Sequence, residues 1–181
     1  GNILASGGTG VTTGGVGGAV VITGNSTLAG NITSSGGNAG TTGGASGAMT
    51  FTGAVTLGAD VVLTGLRGTG GAPTAGAINF NGTSSTIDSD AIGTPRSLTI
   101  NAGTGAAAVT FGAGIGQGAS DGLKSLSVTT AGTTTLNGSI RTADVAGNNV
   151  SLLGSGAVTM NTDVTINTDR TSNDGNISLT G

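Results

Sequence analysis

Cysteine, histidine, tryptophan, tyrosine and glutamate are all missing from this chain. Without cysteine there are no disulfides, no thiolate catalysis and no zinc–thiolate sites. The only aromatics are Phe51, Phe80 and Phe111, too few to build stacking platforms for single-stranded nucleic acid. Charge is sparse: the five basic residues, Arg67, Arg96, Lys124, Arg141 and Arg170, are scattered among eight aspartates. Nucleic acid or an anionic membrane would need a basic run, and the chain has none. With two prolines and no strict three-residue glycine period, collagen is excluded. The longest weakly polar run, 105–116, is too short and glycine-rich to span a bilayer as a helix. The start, Gly1-Asn2-Ile3-Leu4, lacks the basic and apolar regions of a signal peptide. The pattern is already running at both ends, so 1–181 is expected to be one repeat segment of a longer chain or fibre.

What is abundant is glycine, 39 of 181 residues. Each interior glycine costs a helix about 1 kcal/mol relative to alanine, which argues against helices. A Gly/Ser/Thr/Asn-rich chain is also a candidate for disorder. Against that stand a mean hydropathy of +0.24, only 7% charged residues and a regular set of apolar triplets.

Three stretches align without gaps: AVVITGNSTLAG from Ala19, AVTLGADVVLTG from Ala54 and AVTMNTDVTINT from Ala157. Val20, Val55 and Val158 correspond, as do Ile22, Leu57 and Met160, then Leu28, Leu63 and Ile166. Asn25, Asp60 and Asp163 share the position between the apolar pairs. Similar segments recur as AMTF ending at Phe51, AINF at Phe80, SLTI at Ile100, AVTF at Phe111, SLSV at Val128, VSLL at Leu153 and NISL at Leu179. Within them apolar and small polar residues alternate, as in Val55-Thr56-Leu57, which is the two-residue period of a strand.

Neighbouring triplets lie too close for anything but a short corner, and most corners lack hairpin dipeptides. A coil that always turns the same way fits the spacing. The expectation is an all-β parallel β-helix of seven or eight coils, about 35 Å long at about 4.8 Å per stacked strand. Longer excursions are expected over 31–46, 66–76 and 112–123. Neither terminus carries an amphipathic helix or charged edge segment of the kind that caps solenoids.

Phrases such as GAVTLGADVVLTG, SLTINAGTGAAAVTFGAGIG, SLSVTTAGTTTLNGSI and GNNVSLLGSGAVTMNTDVTINTD resemble repeats of large bacterial surface proteins, the filamentous-haemagglutinin-like and autotransporter-like adhesins. The resemblance runs from about Gly18 to the end. It implies a right-handed parallel β-helix, extracellular, forming the shaft of a long fibrous protein. It also implies partners that are flanking repeats or further copies stacked end to end, or glycans reached through loops. The secretion-signal domain and adhesive tip of such proteins are not represented.

No residue is assigned a catalytic, cofactor-binding or metal-binding role. Asp88 and Asp90, at i and i+2, would share a strand face about 7 Å apart, within the range of paired-carboxylate glycosidases; STIDSDAIGTP around them also reads as a polar corner. Asp60 and Asp163 recur where Asn25 stands, and an amide cannot replace a catalytic acid, so these read as backbone-accepting Asx turns. Gly14-Gly15-Val16-Gly17-Gly18 has the glycines of a calcium β-roll but not its aspartates; Asp169 and Asp174 could hold at most a stray surface ion. The only lysine, Lys124, follows Leu123, so there is no phosphate-loop motif. Thr129-Thr130 and Thr133-Thr134-Thr135 raise ice binding, which needs two outward threonines on every coil. Asn-x-Ser/Thr sequons occur at Asn25, Asn31, Asn81, Asn137, Asn149 and Asn176, and fit turn asparagines followed by strand residues as well as glycosylation. The reading these features favour is a structural spacer that is not an enzyme. The alternatives are a binding module using its loops for carbohydrate or host protein, and a polysaccharide-active enzyme.

Overall fold

The computed structural model describes residues 1–118, 122–161 and 163–181, and among them no helix is present. The chain winds through three sheet faces in the same order on every turn. The first turn is β1 (Ile3–Leu4), β2 (Val20–Thr23) and β3 (Ser26–Leu28); the second is β4 (Ile32–Thr33), β5 (Met49–Thr52) and β6 (Val55–Leu57). The third is β7 (Val61–Thr64), β8 (Ile78–Asn81) and β9 (Ile87–Ser89). The fourth has β10 (Ser97–Gly103) and β11 (Val109–Phe111), with the Ile115 bridge in place of a third strand. Then follow β12 (Ser125–Thr130), β13 (Thr134–Leu136) and β14 (Ile140–Arg141), and β15 (Val150–Leu153), β16 (Val158–Met160) and β17 (Ile166–Asn167). Finally β18 (Ile177–Leu179) lies beside β15.

Stacking is parallel throughout. The first face orders β1-β4-β7-β10-β12-β15-β18, and the second β2-β5-β8-β11-β13-β16. The third joins β3-β6-β9 to β14-β17 through Ile87, Ile115 and Ile140. The expected parallel β-helix is therefore the fold, a solenoid of about six turns. Coil-to-coil partners lie 29 residues apart early in the chain, 37 at the third-to-fourth turn and 24 near the end.

The two-residue alternation has the expected effect. In β6, Val55 and Leu57 are 2% and 0% exposed while Thr56 between them is half-exposed. Stacking in register turns each inward position into a column. One runs Ile22, Phe51, Phe80, Phe111, Leu136, Met160. Another runs Ser26, Val55, Ile87, Ile115, Ile140, Ile166. All three phenylalanines of the chain thus meet in one column inside an aliphatic core.

The triplets fold as strands, but the alignment of the middle copy is out of phase by one face. Val20 and Val158 share a column of the second face, whereas Val55 pairs with Ser26 and Ile87 on the third. Every face uses the same triplet–corner–triplet grammar, so apolar spacing alone does not say which face a triplet occupies. Asn25 and Asp60 consequently sit at different corners, and neither makes a local turn. Asn25 Oδ1 accepts the backbone N–H of Ala54 at 3.0 Å, and Asp60 Oδ1 that of Ser97 at 2.8 Å. Asn2, Asn31 and Asn149 do the same for Asn31, Val62 and Asn176. These side chains extend the ladder from coil to coil, and at Asn25 and Asp60 they do so where an Asx turn was expected.

The excursions also differ from variable loops. The stretch expected to begin at Asn31 first forms β4, and the connections 5–19, 34–48 and 65–77 all leave the corner between the first and second faces. They stack as a three-layered plate. Gly7 and Gly10 donate to Ser35 and Asn38, Gly14 and Gly17 to Thr42 and Ala45, and Gly36 and Ala39 to Leu66 and Thr69. These bonds recur every third residue, the period of polyproline II. Bonds also cross between the outgoing and returning legs: Gly15 N–H to Gly8, Gly37 to Gly15, Gly44 to Gly37 and Gly68 to Gly44. Only glycine fits such close legs; a Cβ on Gly44 would lie 1.8 Å from the Gly15 oxygen. The plate stops at the third layer because the next connection, 104–108, is short. There Pro73, which has no N–H to offer a fourth layer, and Arg67, which donates to the Pro73 oxygen and to Thr104 Oγ1 at 3.5 Å each, close the edge. The third expected excursion, 112–123, is interrupted by Ile115, which bridges into the third face, and its residues 119–121 lie outside the described ones.

Candidate functional site

Charge has a definite place in this fold. No charged residue precedes Asp60, so the first two turns present only neutral side chains. Asp88, Asp90, Arg96 and Lys124 lie on β9 or in the connections entering the first face. Arg141, Asp144, Asp169, Arg170 and Asp174 follow on β14 and in the later connections on the same side.

Asp88 and Asp90 are held by different partners. Strand β9 ends at Ser89 between them. Asp88 Oδ1 accepts the Ser89 N–H at 3.0 Å, while Asp90 Oδ1 takes the Arg96 Nε–H at 3.0 Å. That hydrogen bond, reinforced by the guanidinium charge, holds the Asp90 carboxyl below its ordinary 3.8 and raises the Arg96 group. The ion pair closes the 90–96 connection. Ser89 completes it: its hydroxyl donates to the Gly122 oxygen at 3.0 Å and accepts the Arg96 N–H at 2.9 Å.

Asp144 ties down a later connection on the same side. Its carboxylate takes the Asn173 side-chain N–H at 3.1 Å, the Ser172 N–H at 3.1 Å and the Asn173 backbone N–H at 2.9 Å. These bonds, the Asn173 amide foremost, lower its pKa. Beneath it the buried Asn148 amide donates to the oxygens of Thr168 and Asn173 at 3.1 and 2.9 Å. Sequence reading passed over Asp144 and Asn148 because their partners lie 20 to 29 residues away. Asp163 is exposed. Among the described residues no group of three or more potential metal ligands is found, and Asp169 and Asp174 do not form one. No helix among the described residues is long and apolar enough to cross a membrane.

The outward rows of the second face read Val21, Thr50, Asn79, Thr110, Thr135, Thr159 and, two residues on, Thr23, Thr52, Asn81, Gly112, Asn137, Asn161. Only β5 places threonine at both outward positions, so this face lacks the regular array that ice binding requires. Of the sequons, Asn25, Asn31 and Asn149 use their side-chain oxygens in the ladder. Asn137 is tied to the Phe111 oxygen and to Asn161, whereas Asn81 is exposed.

Two clefts are cross-sections of the core at the first and last turns. One, of about 700 Å³, is lined by Val158, Met160 and Leu179 among others. The other, of about 270 Å³, is lined by Ile3, Ile22, Leu28 and Ile32. There Met160 is 43% exposed and Leu179 41%, against 0–1% for Phe51, Phe80 and Leu152 in the same columns further in. A polar groove of about 280 Å³ lies on the third face between Gln117, Ser139, Arg141, Thr165 and Asn167. No family model, curated protein or solved structure matches the chain.

Proposed function

We propose that this chain is a structural repeat unit of an extracellular bacterial surface filament or adhesin stalk, in which it acts as a stiff spacer. The observation that carries the reading is the unbroken parallel ladder from β1 to β18, with one apolar core running its whole length. Such an element resists bending because every strand is bonded to the coils above and below it. The polar side chains with specific partners, Asp60, Asp90, Asp144 and Asn148, are spent on holding coils and connections together. Cell-surface placement and the adhesin class rest on the resemblance of the repeat phrases. The partners in this reading are flanking repeats or further copies of the chain, seated on the apolar cross-sections at Ile3 and Ile22 or at Met160 and Leu179.

Electron microscopy of native material carrying this chain tests the proposal. Rods much longer than the roughly 29 Å covered by six rung-to-rung steps are expected. Compact isolated particles would overturn the filament reading and leave a loop-based binding module as the better one.

A further inference from the structure

We propose that Asn81 is a site of spontaneous deamidation, selected by the fold over the chain's second Asn-Gly pair. The two pairs, Asn81-Gly82 and Asn137-Gly138, are followed by Thr83 and Ser139, so their local chemistry is nearly the same. In the reaction the Gly82 backbone nitrogen attacks Cγ of Asn81 and the new N–Cγ bond displaces the side-chain nitrogen. That nitrogen leaves as ammonia, carrying the proton from the Gly82 N–H. Water then opens the succinimide at either carbonyl, giving aspartate or its β-linked isomer.

Three features favour Asn81. Its side chain is exposed at the end of β8 and makes no hydrogen bond to any described residue, so Cγ is free to swing onto the backbone. On the side a Cβ would occupy, Gly82 is open, with nothing nearer than Ser85 Oγ at 4.0 Å, although a Cβ on Gly112 would lie 2.8 Å from its nitrogen. The buried Ser85 hydroxyl donates to the Asn81 carbonyl oxygen and is held in place by accepting the Gly53 N–H at 3.2 Å. A donor on that carbonyl draws electron density from the Asn81–Gly82 amide and makes the attacking N–H more acidic. Asn137 has none of this freedom. Its Nδ2 donates to the Phe111 oxygen at 3.0 Å, its Oδ1 accepts from Asn161 at 3.0 Å, and a Cβ on Gly138 would lie 2.5 Å from the Gly114 nitrogen. Attack there requires both side-chain bonds to open first. The outcome at Asn81 would be a carboxylate on a face whose strands carry no charged residue.

Trypsin separates the two pairs into the peptides Gly68–Arg96 and Ser125–Arg141, so mass spectrometry can follow each in protein aged in mildly alkaline buffer. The folded chain should gain acid in the first peptide about tenfold faster than in the second, a rate ratio set by the extra opening step. In denaturing urea the two rates should converge. Asn81→Gln should abolish the fast gain. Ser85→Ala should slow it in the folded protein only, with Ser85→Thr, which keeps the hydroxyl, restoring it. Equal rates in the folded chain, or faster change at Asn137, would overturn the proposal. An unchanged rate in folded Ser85→Ala would remove Ser85 from it.

Discussion

The rings of Phe51 and Phe80 stack with centroids 4.7 Å apart and 11° between their planes. That separation matches the spacing of strands within a sheet, so backbone register and ring stacking reinforce each other. Phe80 is also stacked on Phe111 at 5.4 Å and 9°, which makes it the centre of a three-ring column. Phe80→Ala should cost about 3–5 kcal/mol, more than Phe111→Ala, whose ring has an aromatic neighbour on one side only. Urea denaturation midpoints measure the difference. Phe80→Leu, which refills most of the volume, should recover most of the loss.

The glycine plate gives a sharper contrast. Gly44→Ala places a methyl group 1.8 Å from the Gly15 oxygen, while the same change at Gly8 meets nothing within 4 Å. Relieving the first clash means separating backbone legs, at about 1–3 kcal/mol; the second should be near neutral. Amide hydrogen exchange over 34–48 should accelerate in Gly44→Ala and stay unchanged in Gly8→Ala.

Ser26 heads a column that continues as Val55, Ile87 and Ile115. Its hydroxyl oxygen is buried and has no partner among the described residues. Ser26→Val removes the unsatisfied group and continues the aliphatic column. It should raise stability by about 1 kcal/mol, read as a higher denaturation midpoint.

Asp144 should give the last turn a pH dependence. Its pKa is lowered in the folded chain, so the folded state favours the ionised form. The stabilisation is full above the ordinary carboxylate value of 3.8 and is lost as pH falls below it toward the lowered value. Protection of the Ser172 and Asn173 amides, measured against the intrinsic exchange rate at each pH, should fall in that acid range. In Asp144→Asn the protection should already be low at neutral pH and should stay constant on acidification.

The strands were legible because Val55-Thr56-Leu57 and Val150-Ser151-Leu152 state the two-residue period openly, and burial follows it residue by residue. The phase of the coil was not. Val55 and Val20 have the same local surroundings, and only pairing with Ser26 or Met49, 29 residues away, tells their faces apart. The plate was hidden for a related reason. Gly7 and Gly10, or Gly14 and Gly17, stand three apart, but that spacing becomes a structure only when 34–48 is laid beside it. The ion pair at Asp90 was hidden as well, because the reach of Arg96 back to it depends on how the chain turns after Ser89.

Coils of very different length, with partners 24 to 37 residues apart, present the same short strands to their neighbours. Each coil pairs through its strands only with the one before and the one after, so connections as different in length as 34–48 and 104–108 join the same two faces. A gene for such a protein can gain or lose whole turns by duplication and deletion without redesigning the strand pairing. Reach then becomes an adjustable property, set in increments of about 4.8 Å.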